Sequence, residues 1–181
     1  IRFRMSKNVV IQALLTRRSV RRFQEKQVSD EELKTVLEAG TYAPSSMGRQ
    51  SAWIVAVQDK ALISQLTKMN AAVMGVTSDP YYGAPTLVLV FGPDLDSWPN
   101  AQLDGALVLG NMMNAAHAIG LGSCWIHREQ QMFATEQGKQ LMKQFGLPDG
   151  LVGIGALALG YPTGDCPAPK ERKKDYYRII R

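Results

Sequence analysis

Cysteine and histidine are scarce in this chain, with two of each in 181 residues. Cys124 and Cys166 lie far apart in no paired motif, which argues against a disulfide framework and for a reducing cytoplasm. His117 and His127 have no partners at metal-ligand spacing, so no metal site is expected. His117, on an apolar stretch, reads as a satisfied core histidine. No Gly-x-Ser-x-Gly elbow, no coherent Ser/His/Asp set and no P-loop is present, which disfavours a hydrolase of that type and a triphosphate cradle. No long apolar run opens the sequence, so no secretory signal is expected. The most apolar long stretch, Ala101 to Ile119, carries Asp104, Asn111, Asn114 and His117. That polarity belongs to a buried helix and not to a membrane span. A chain so poor in candidate acids, bases and nucleophiles suits an enzyme whose reactive atoms belong to a bound organic cofactor.

What is present is ordinary in bulk. Apolar residues make up 45% and charged residues 20%, the balance of a water-soluble domain. At this length one domain over residues 1–181 is the economical reading, with about 70% of the unfolded surface buried. The formal charge of +5 permits anionic ligands without requiring nucleic acid. Ile1 to Arg4 precede Met5, a candidate native start, and carry no weight in the reading.

Periodicity predicts a helix over Val9 to Thr16, capped by Asn8 or Ser6, followed by extended chain from Arg17 to Phe23. Ser29-Asp30-Glu31-Glu32 is a capping box, opening a helix that Gly40 is expected to end. Tyr42 to Ala52 reads as a loop and Trp53 to Gln58 as a strand. Asp59 caps a helix to about Met69, and Met74 to Ala84 is a second loop. Thr86 to Phe91, Gly122 to Ile126 and Leu151 to Leu159 read as strands. Helices are expected over Ala101 to Ile119, closed by Gly120, and over Met132 to Phe145. The tail from Pro162 is irregular and basic, with a candidate terminal strand at Tyr176 to Ile180. Strands that are apolar throughout and alternate with helices predict a central sheet covered on both faces, in an α/β or α+β layered fold. The small residues of the long helix, Gly105, Ala106, Gly110, Ala115, Ala116 and Ala118, let another backbone approach closely. They suit a monomer core or a dimer interface.

Two basic clusters stand near opposite ends: Arg17-Arg18-Ser19-Val20-Arg21 and Lys170-Glu171-Arg172-Lys173-Lys174. On extended chain, residues two apart share a side, so Arg17, Ser19 and Arg21 form a row of guanidinium, hydroxyl and guanidinium. That row suits a phosphate plus a second electron-rich group. A solvated stretch that complements the dipole of the preceding helix is the competing reading. If the fold joined both clusters, they would make an anion pocket sized for one phosphate. Ala43-Pro44-Ser45-Ser46-Met47-Gly48-Arg49-Gln50 offers backbone N–H groups, two hydroxyls and an amide to a polar heteroaromatic ring, or is an ordinary turn. Gly153-Ile154-Gly155-Ala156-Leu157-Ala158 fits the Ala-ended dinucleotide fingerprint. No helix and no suitably placed acid follow it, so it is a buried strand whose glycines allow close packing.

In that order, Arg17 to Phe23, Ala43-Pro44-Ser45-Ser46, Gly120-Leu121-Gly122-Ser123-Cys124-Trp125-Ile126, Gly153 to Pro162 and the basic tail resemble the FMN-dependent nitroreductase family over nearly the whole chain. The resemblance implies an α+β sandwich, a mostly antiparallel central sheet flanked by helices, and an intertwined homodimer built around the Ala101 to Ile119 helix. It implies FMN at the subunit seam. Arg17, Ser19, Lys170 and Arg172 would hold its phosphate, and Arg18 would brace that segment. Arg21 would approach the pyrimidine side. Pro44, Ser45, Ser46, Met47 and Gln50 would come from the partner subunit, and Trp125, Ile126 and His127 would line the ring. Tyr81 and Tyr82 are candidates for covering the open face, or serve the loop structurally. The implied activity is NAD(P)H-dependent reduction of nitroaromatics, quinones or similar acceptors in ping-pong order, with enone reduction, flavin reduction or flavin destruction as other uses of the fold. Many members carry Asn at Gly48, Gln-Pro-Trp where Gln50-Ser51-Ala52-Trp53 stands, and Glu-Gly at His127-Arg128. From another class, a basic nucleic-acid-binding module would require aromatic and basic residues interleaved on one face, a pattern not visible here.

Overall fold

The structure, a computed structural model, describes residues 8–181. The readings of Ile1–Arg4, Met5 and the Ser6 cap lie outside them. Four strands form one antiparallel sheet in the order β1-β2-β4-β3: β1 Trp53–Val57, β2 Thr86–Pro93, β3 Gly122–Ile126 and β4 Leu151–Gly160. Strand side chains alternate between faces, and both faces are covered, so both sets are apolar. Leu87, Leu89 and Phe91 of β2 pack against α3 (Lys60–Met74), α5 (Glu129–Ala134) and α6 (Glu136–Gln144) through Leu66, Met132, Phe133 and Leu141. Val88 and Val90 pack against α2 (Asp30–Thr41) and α4 (Ala101–Ala118) through Val36, Val108, Leu109 and Met112. The β2–β4 register steps from Val90–Gly155 to Phe91–Gly153. Ile154 is the extra residue of that bulge, which returns its side chain to the α2/α4 face together with Leu157.

Helix starts follow from their caps. In α1 (Val9–Thr16) the Asn8 side chain accepts from the Val10 and Ile11 N–H groups. In α2 the Ser29–Glu32 capping box is complete. Asp59 caps α3 by accepting from Leu62 N at 2.7 Å.

Several helix ends differ from the sequence-based expectation. Gly40 lies inside α2, which runs to Thr41. A Cβ at Gly40 would stand 2.7 Å from Met112 Cγ, so this glycine serves close packing of α2 on α4. Helix α3 continues past Met69 to Met74, where Gly75 at φ 71 supplies the left-handed stop. The expected Met132 to Phe145 helix begins earlier and is two helices. Thr135 is extended (ψ 159) and caps the second, its hydroxyl accepting from Gly138 N. The break lets Gly138 sit against Met132 O, 2.2 Å from where a Cβ would be. Tyr176 to Ile180 forms no strand and is exposed. No helix among the described residues is long and apolar enough to cross a membrane.

Candidate functional site

Beyond α1 the chain runs extended along β3. Ser19 bridges Ser123 in parallel, and Val20 N donates to Ser123 O at 3.0 Å. Phe23 pairs with Pro162, and Gln24 N donates to Tyr161 O at 2.9 Å. Val20 turns inward onto Gly122, where a Cβ would lie 2.8 Å from Val20 Cγ1. Ser19, Val20, Arg21 and Arg22 line a cavity of about 290 Å³ whose other wall is the chain from Pro162 to Pro167. The Arg21 guanidinium lies 5.8 Å from the Tyr82 ring centroid, within cation–π reach.

The neighbouring arginines are incompletely satisfied. Arg18 Nη1 donates to Leu15 O and Arg17 O, at 2.9 and 2.7 Å. Among the described residues, Arg18 Nε and Arg17 Nη1 are buried without an acceptor. Buried cationic N–H groups left unpaired are costly, and an anion relieves that cost. A forked cation beside a serine hydroxyl matches the oxygens of a phosphate monoester, so Arg17 and Ser19 fit the FMN phosphate that the resemblance implies, with Arg18 tied back to Leu15 O and Arg17 O. His117 secures the same corner: its Nε2 lies 2.8 Å from Thr16 Oγ1, and that hydroxyl donates to Gln12 O. The imidazole therefore donates to Thr16. Burial, then Arg17 and Arg18, hold it below the usual histidine value, favouring the neutral ring. Lys170 and Arg172 are exposed, and the Arg172 guanidinium folds onto Lys170 O at 2.7 Å. The structure brings the first residues of the tail to the Ser19–Arg22 segment. Among the described residues, no hydrogen bond or ion pair joins Lys170 or Arg172 to Arg17 or Ser19.

The Pro44 to Gln50 loop is held by a residue in α4. Asp104 is 2% exposed; its carboxylate accepts from Ser46 N at 2.8 Å, Ser51 Oγ at 2.7 Å and Trp98 Nε1 at 2.8 Å. Burial pushes this carboxyl up, and the Ser46, Trp98 and Ser51 donors together bring it below its usual value. Ser45 Oγ accepts from Gln50 N, and Asn100 Nδ2 donates to Ser46 Oγ. Met47 (φ 56) and Gln50 (φ 50) are left-handed, and Met47 projects outward, 82% exposed. Sequence reading saw Asp104 only as polarity on an apolar helix. Two of its three partners lie 53 and 58 positions away, at Ser51 and Ser46, and no local pattern points to those two.

At the end of β3 three residues divide. The Ile126 side chain is buried on the α3/α5/α6 face, leaving only its backbone to a ligand. The half-buried Trp125 packs on Gly155, where a Cβ would stand 2.7 Å from its Nε1. With exposed His127, Trp125 lines a cavity of about 400 Å³ that also takes in Leu103, Arg128 and Ile154. Behind this cavity lies a buried polar cluster that the sequence did not reveal. Asn70, fully buried, donates to His127 O at 3.0 Å and to the Tyr81 hydroxyl at 3.3 Å. Tyr81 donates to Glu129 Oε1 at 3.1 Å. Burial pushes the Glu129 carboxyl up to about 8, and burial followed by Glu129 pushes the Tyr81 phenol up. Tyr81 is 0% exposed, so of its two readings it takes the structural one and cannot cover a bound ring. Tyr82, partly exposed at φ 58, remains beside Arg21.

Residues 14–161 match the model of the Nitroreductase family. The chain belongs to that family. The nitroreductase sandwich is the fold observed here. A nitroreductase of Bacteroides fragilis NCTC 9343, solved with bound FMN, superposes with a TM-score of 0.88 at 29% identity, over 97% of this chain and 100% of that one. A protein of Archaeoglobus fulgidus, provisionally assigned as an NADH dehydrogenase/NAD(P)H nitroreductase, is 29% identical over 92% of this chain and 88% of its own length. The FMN reductase [NAD(P)H] of Bacillus subtilis is 25% identical over 91% of this chain and 70% of its own. Among the described residues, no group of three or more His, Cys, Asp or Glu could hold a metal ion.

Proposed function

We propose that this nitroreductase-family chain is an NAD(P)H-dependent FMN oxidoreductase that reduces nitroaromatics, quinones or similar electron-poor acceptors in ping-pong order. The observation that carries this reading is the pair of buried, acceptorless nitrogens, Arg17 Nη1 and Arg18 Nε, on a segment stitched to β3. Arg17 and Ser19 hold the FMN phosphate, joined by Lys170 and Arg172 when the tail closes over it, and Arg18 braces the segment. Arg21 lies toward the pyrimidine side, where a fixed positive charge stabilises the negative charge that arrives with electrons. The backbone at Ile126 and His127, with the Trp125 indole, edges the ring and offers N–H donors without a competing base. FMN bound there would supply two-electron hydride chemistry between NAD(P)H and the acceptor.

The Pro44 to Gln50 loop reaches the cofactor of a second copy of the chain. The apolar exposure of Val10 and Leu14 on α1 and of Leu103 and Leu107 on α4 supports a homodimer, because surfaces of that kind mark association sites. Residues 1–181 act as one FMN-binding unit that the second copy completes. A reducing cytoplasm suits the free thiols Cys124 and Cys166. The Bacillus subtilis relative is named an FMN reductase, which favours free flavin as a second class of acceptor. Assays with free FMN beside a nitroaromatic separate the two.

The test is a flavin titration. The purified protein is expected to be yellow. Arg17→Ala with Arg172→Ala should weaken FMN binding at least tenfold, since a hydrogen bond to a charged group contributes about 1.5–3 kcal/mol. Unchanged affinity with intact circular dichroism would overturn the phosphate assignment.

A further inference from the structure

Asn70 of α3 is fully buried, and its amide grips the His127–Arg128 peptide from both sides. Its Nδ2 donates to His127 O at 3.0 Å, and its Oδ1 accepts from Arg128 Nε at 2.8 Å. The amide cannot be turned over, because a carbonyl only accepts and a guanidinium only donates. Tyr81 fixes it from behind. That hydroxyl accepts from Nδ2 at 3.3 Å and donates to Glu129 Oε1 at 3.1 Å. The gripped segment is strained. Arg128 stands at φ 87, a left-handed conformation that residues other than glycine keep only where their surroundings impose it. Asn70 supplies that restraint on either side of the bond. The consequence lies at the opposite edge of the peptide. In a planar trans peptide the C=O and N–H point in opposite directions. With His127 O turned to α3, Arg128 N–H faces away from α3. Among the described residues, no acceptor takes that N–H. His127 and Arg128 both border the cavity of about 400 Å³ that Trp125 also lines, where the reductase reading puts the edge of the flavin ring. A donor kept free and fixed there is preorganised for an acceptor atom on that edge.

We propose that Asn70 is a positioning residue: by holding His127 O and the Arg128 side chain, it aims Arg128 N–H at the nitrogen through which a bound flavin ring takes up hydride. The inference rests on the reductase reading for the ring, and it adds a residue that touches neither ring nor acceptor. Without the Nδ2 donor, His127 O loses its partner among the described residues, and Arg128 relaxes toward the negative φ that its side chain favours. That relaxation turns the peptide and takes the N–H away from the ring. A role confined to filling the core would leave the direction of that N–H unchanged.

The test compares FMN with 5-deaza-FMN, in which a C–H replaces that nitrogen. Competition on the FMN-loaded protein, read as recovered fluorescence of free FMN, gives the ratio of the two affinities. The parent should hold FMN about fivefold more tightly than the analogue, the size of one neutral hydrogen bond. Asn70→Leu fills similar space without a donor, and its ratio should fall to near one. Asn70→Asp keeps an acceptor for Arg128 Nε but sets an oxygen against His127 O, and its ratio should also fall to near one. Adding Arg128→Gly to Asn70→Leu should recover part of the preference, because glycine holds φ 87 without an anchor; a pair that recovers nothing overturns the claim that Asn70 acts through that strained residue. Folded Asn70 variants that bind both flavins more weakly at the parent's ratio would show a structural role alone and overturn the proposal. Where neither single variant folds by circular dichroism, Tyr81→Phe keeps the core volume and only loosens the amide. It should lower the ratio at least twofold, and an unchanged ratio there overturns the proposal. The two readings fail separately. A folded parent that binds neither flavin refutes the reductase, and one that binds both equally refutes the positioning role.

Discussion

Asp104 gathers Ser46, Ser51 and Trp98 around one buried carboxylate, and removing that carboxylate strands the Ser46 and Trp98 N–H donors, which have no other acceptor among the described residues. Each buried donor left unpaired costs about 1–3 kcal/mol. Asp104→Ala is therefore expected to lose roughly 2–4 kcal/mol in urea unfolding and to loosen the Pro44 to Gln50 loop, read as faster amide exchange at Gln50. A loss below about 0.5 kcal/mol, the ordinary size of a neutral surface change, would show that the loop is held by other contacts. Glu129 makes a pH prediction. Its carboxyl is raised from 4.5 to about 8 in the folded chain, so between those values the folded state keeps a proton that the unfolded state has released. Stability from this group is full below pH 4.5 and is lost as pH rises toward 8. The melting temperature should fall across that window, and Glu129→Gln should flatten the fall; an identical pH profile in the variant contradicts the assignment. Neither residue was legible as a site residue in the sequence. The extended course of the chain from Arg17 to Phe23 was legible, and it pairs with Ser123 and Pro162. Ser46 and Ser51 reach Asp104, and Asn70 and Tyr81 reach Glu129, only through the tertiary fold.

Among the elements, the glycines of β4 set how closely helix and neighbouring strand approach. A Cβ at Gly153 would lie 2.5 Å from Glu129 O, and one at Gly155 would lie 2.7 Å from Trp125 Nε1. The sequence reading of these glycines as packing residues, and not as a phosphate loop, agrees with both contacts. Gly153→Ala presses on backbone, which cannot swing aside as a side-chain tip can. It should destabilise by about 1–3 kcal/mol and displace the first turn of α5, which carries Arg128 and Glu129. Gly155→Ala instead presses on the Trp125 ring and should change its fluorescence. Stability unaltered in Gly153→Ala would mean that α5 moves freely on β4. Strand positions and the capped starts of α1, α2 and α3 were legible because caps and continuous apolar runs are local signals. Helix ends were less so: Gly40 reads as a stop but serves packing on Met112, and Thr135 divides a helix that apolar periodicity joins.

For the molecule as a whole, the two basic clusters follow different logic. The first is built into the sheet through Ser19 and Val20. The second lies on an exposed tail whose Tyr176, Tyr177, Ile179 and Ile180 are also exposed. Exposed apolar side chains of that kind mark association surfaces, as do those of α1 and α4. Layering and sheet were legible from apolar strands alternating with helices; the proposed homodimer rests on the family resemblance and on the exposed apolar side chains of α1 and α4. If the FMN site spans two copies, dilution to monomer should release the cofactor, seen as recovery of free-flavin fluorescence in step with the sedimentation shift. Retention of FMN by the monomer contradicts the shared site.

The most direct measurement is an equilibrium FMN titration of the parent chain beside Arg17→Ala and Arg18→Ala, each checked for its fold by circular dichroism. The account predicts tight, saturable binding in the parent and at least a tenfold loss in Arg17→Ala. Folded variants that bind FMN as the parent does, or a folded parent that binds none, would contradict it.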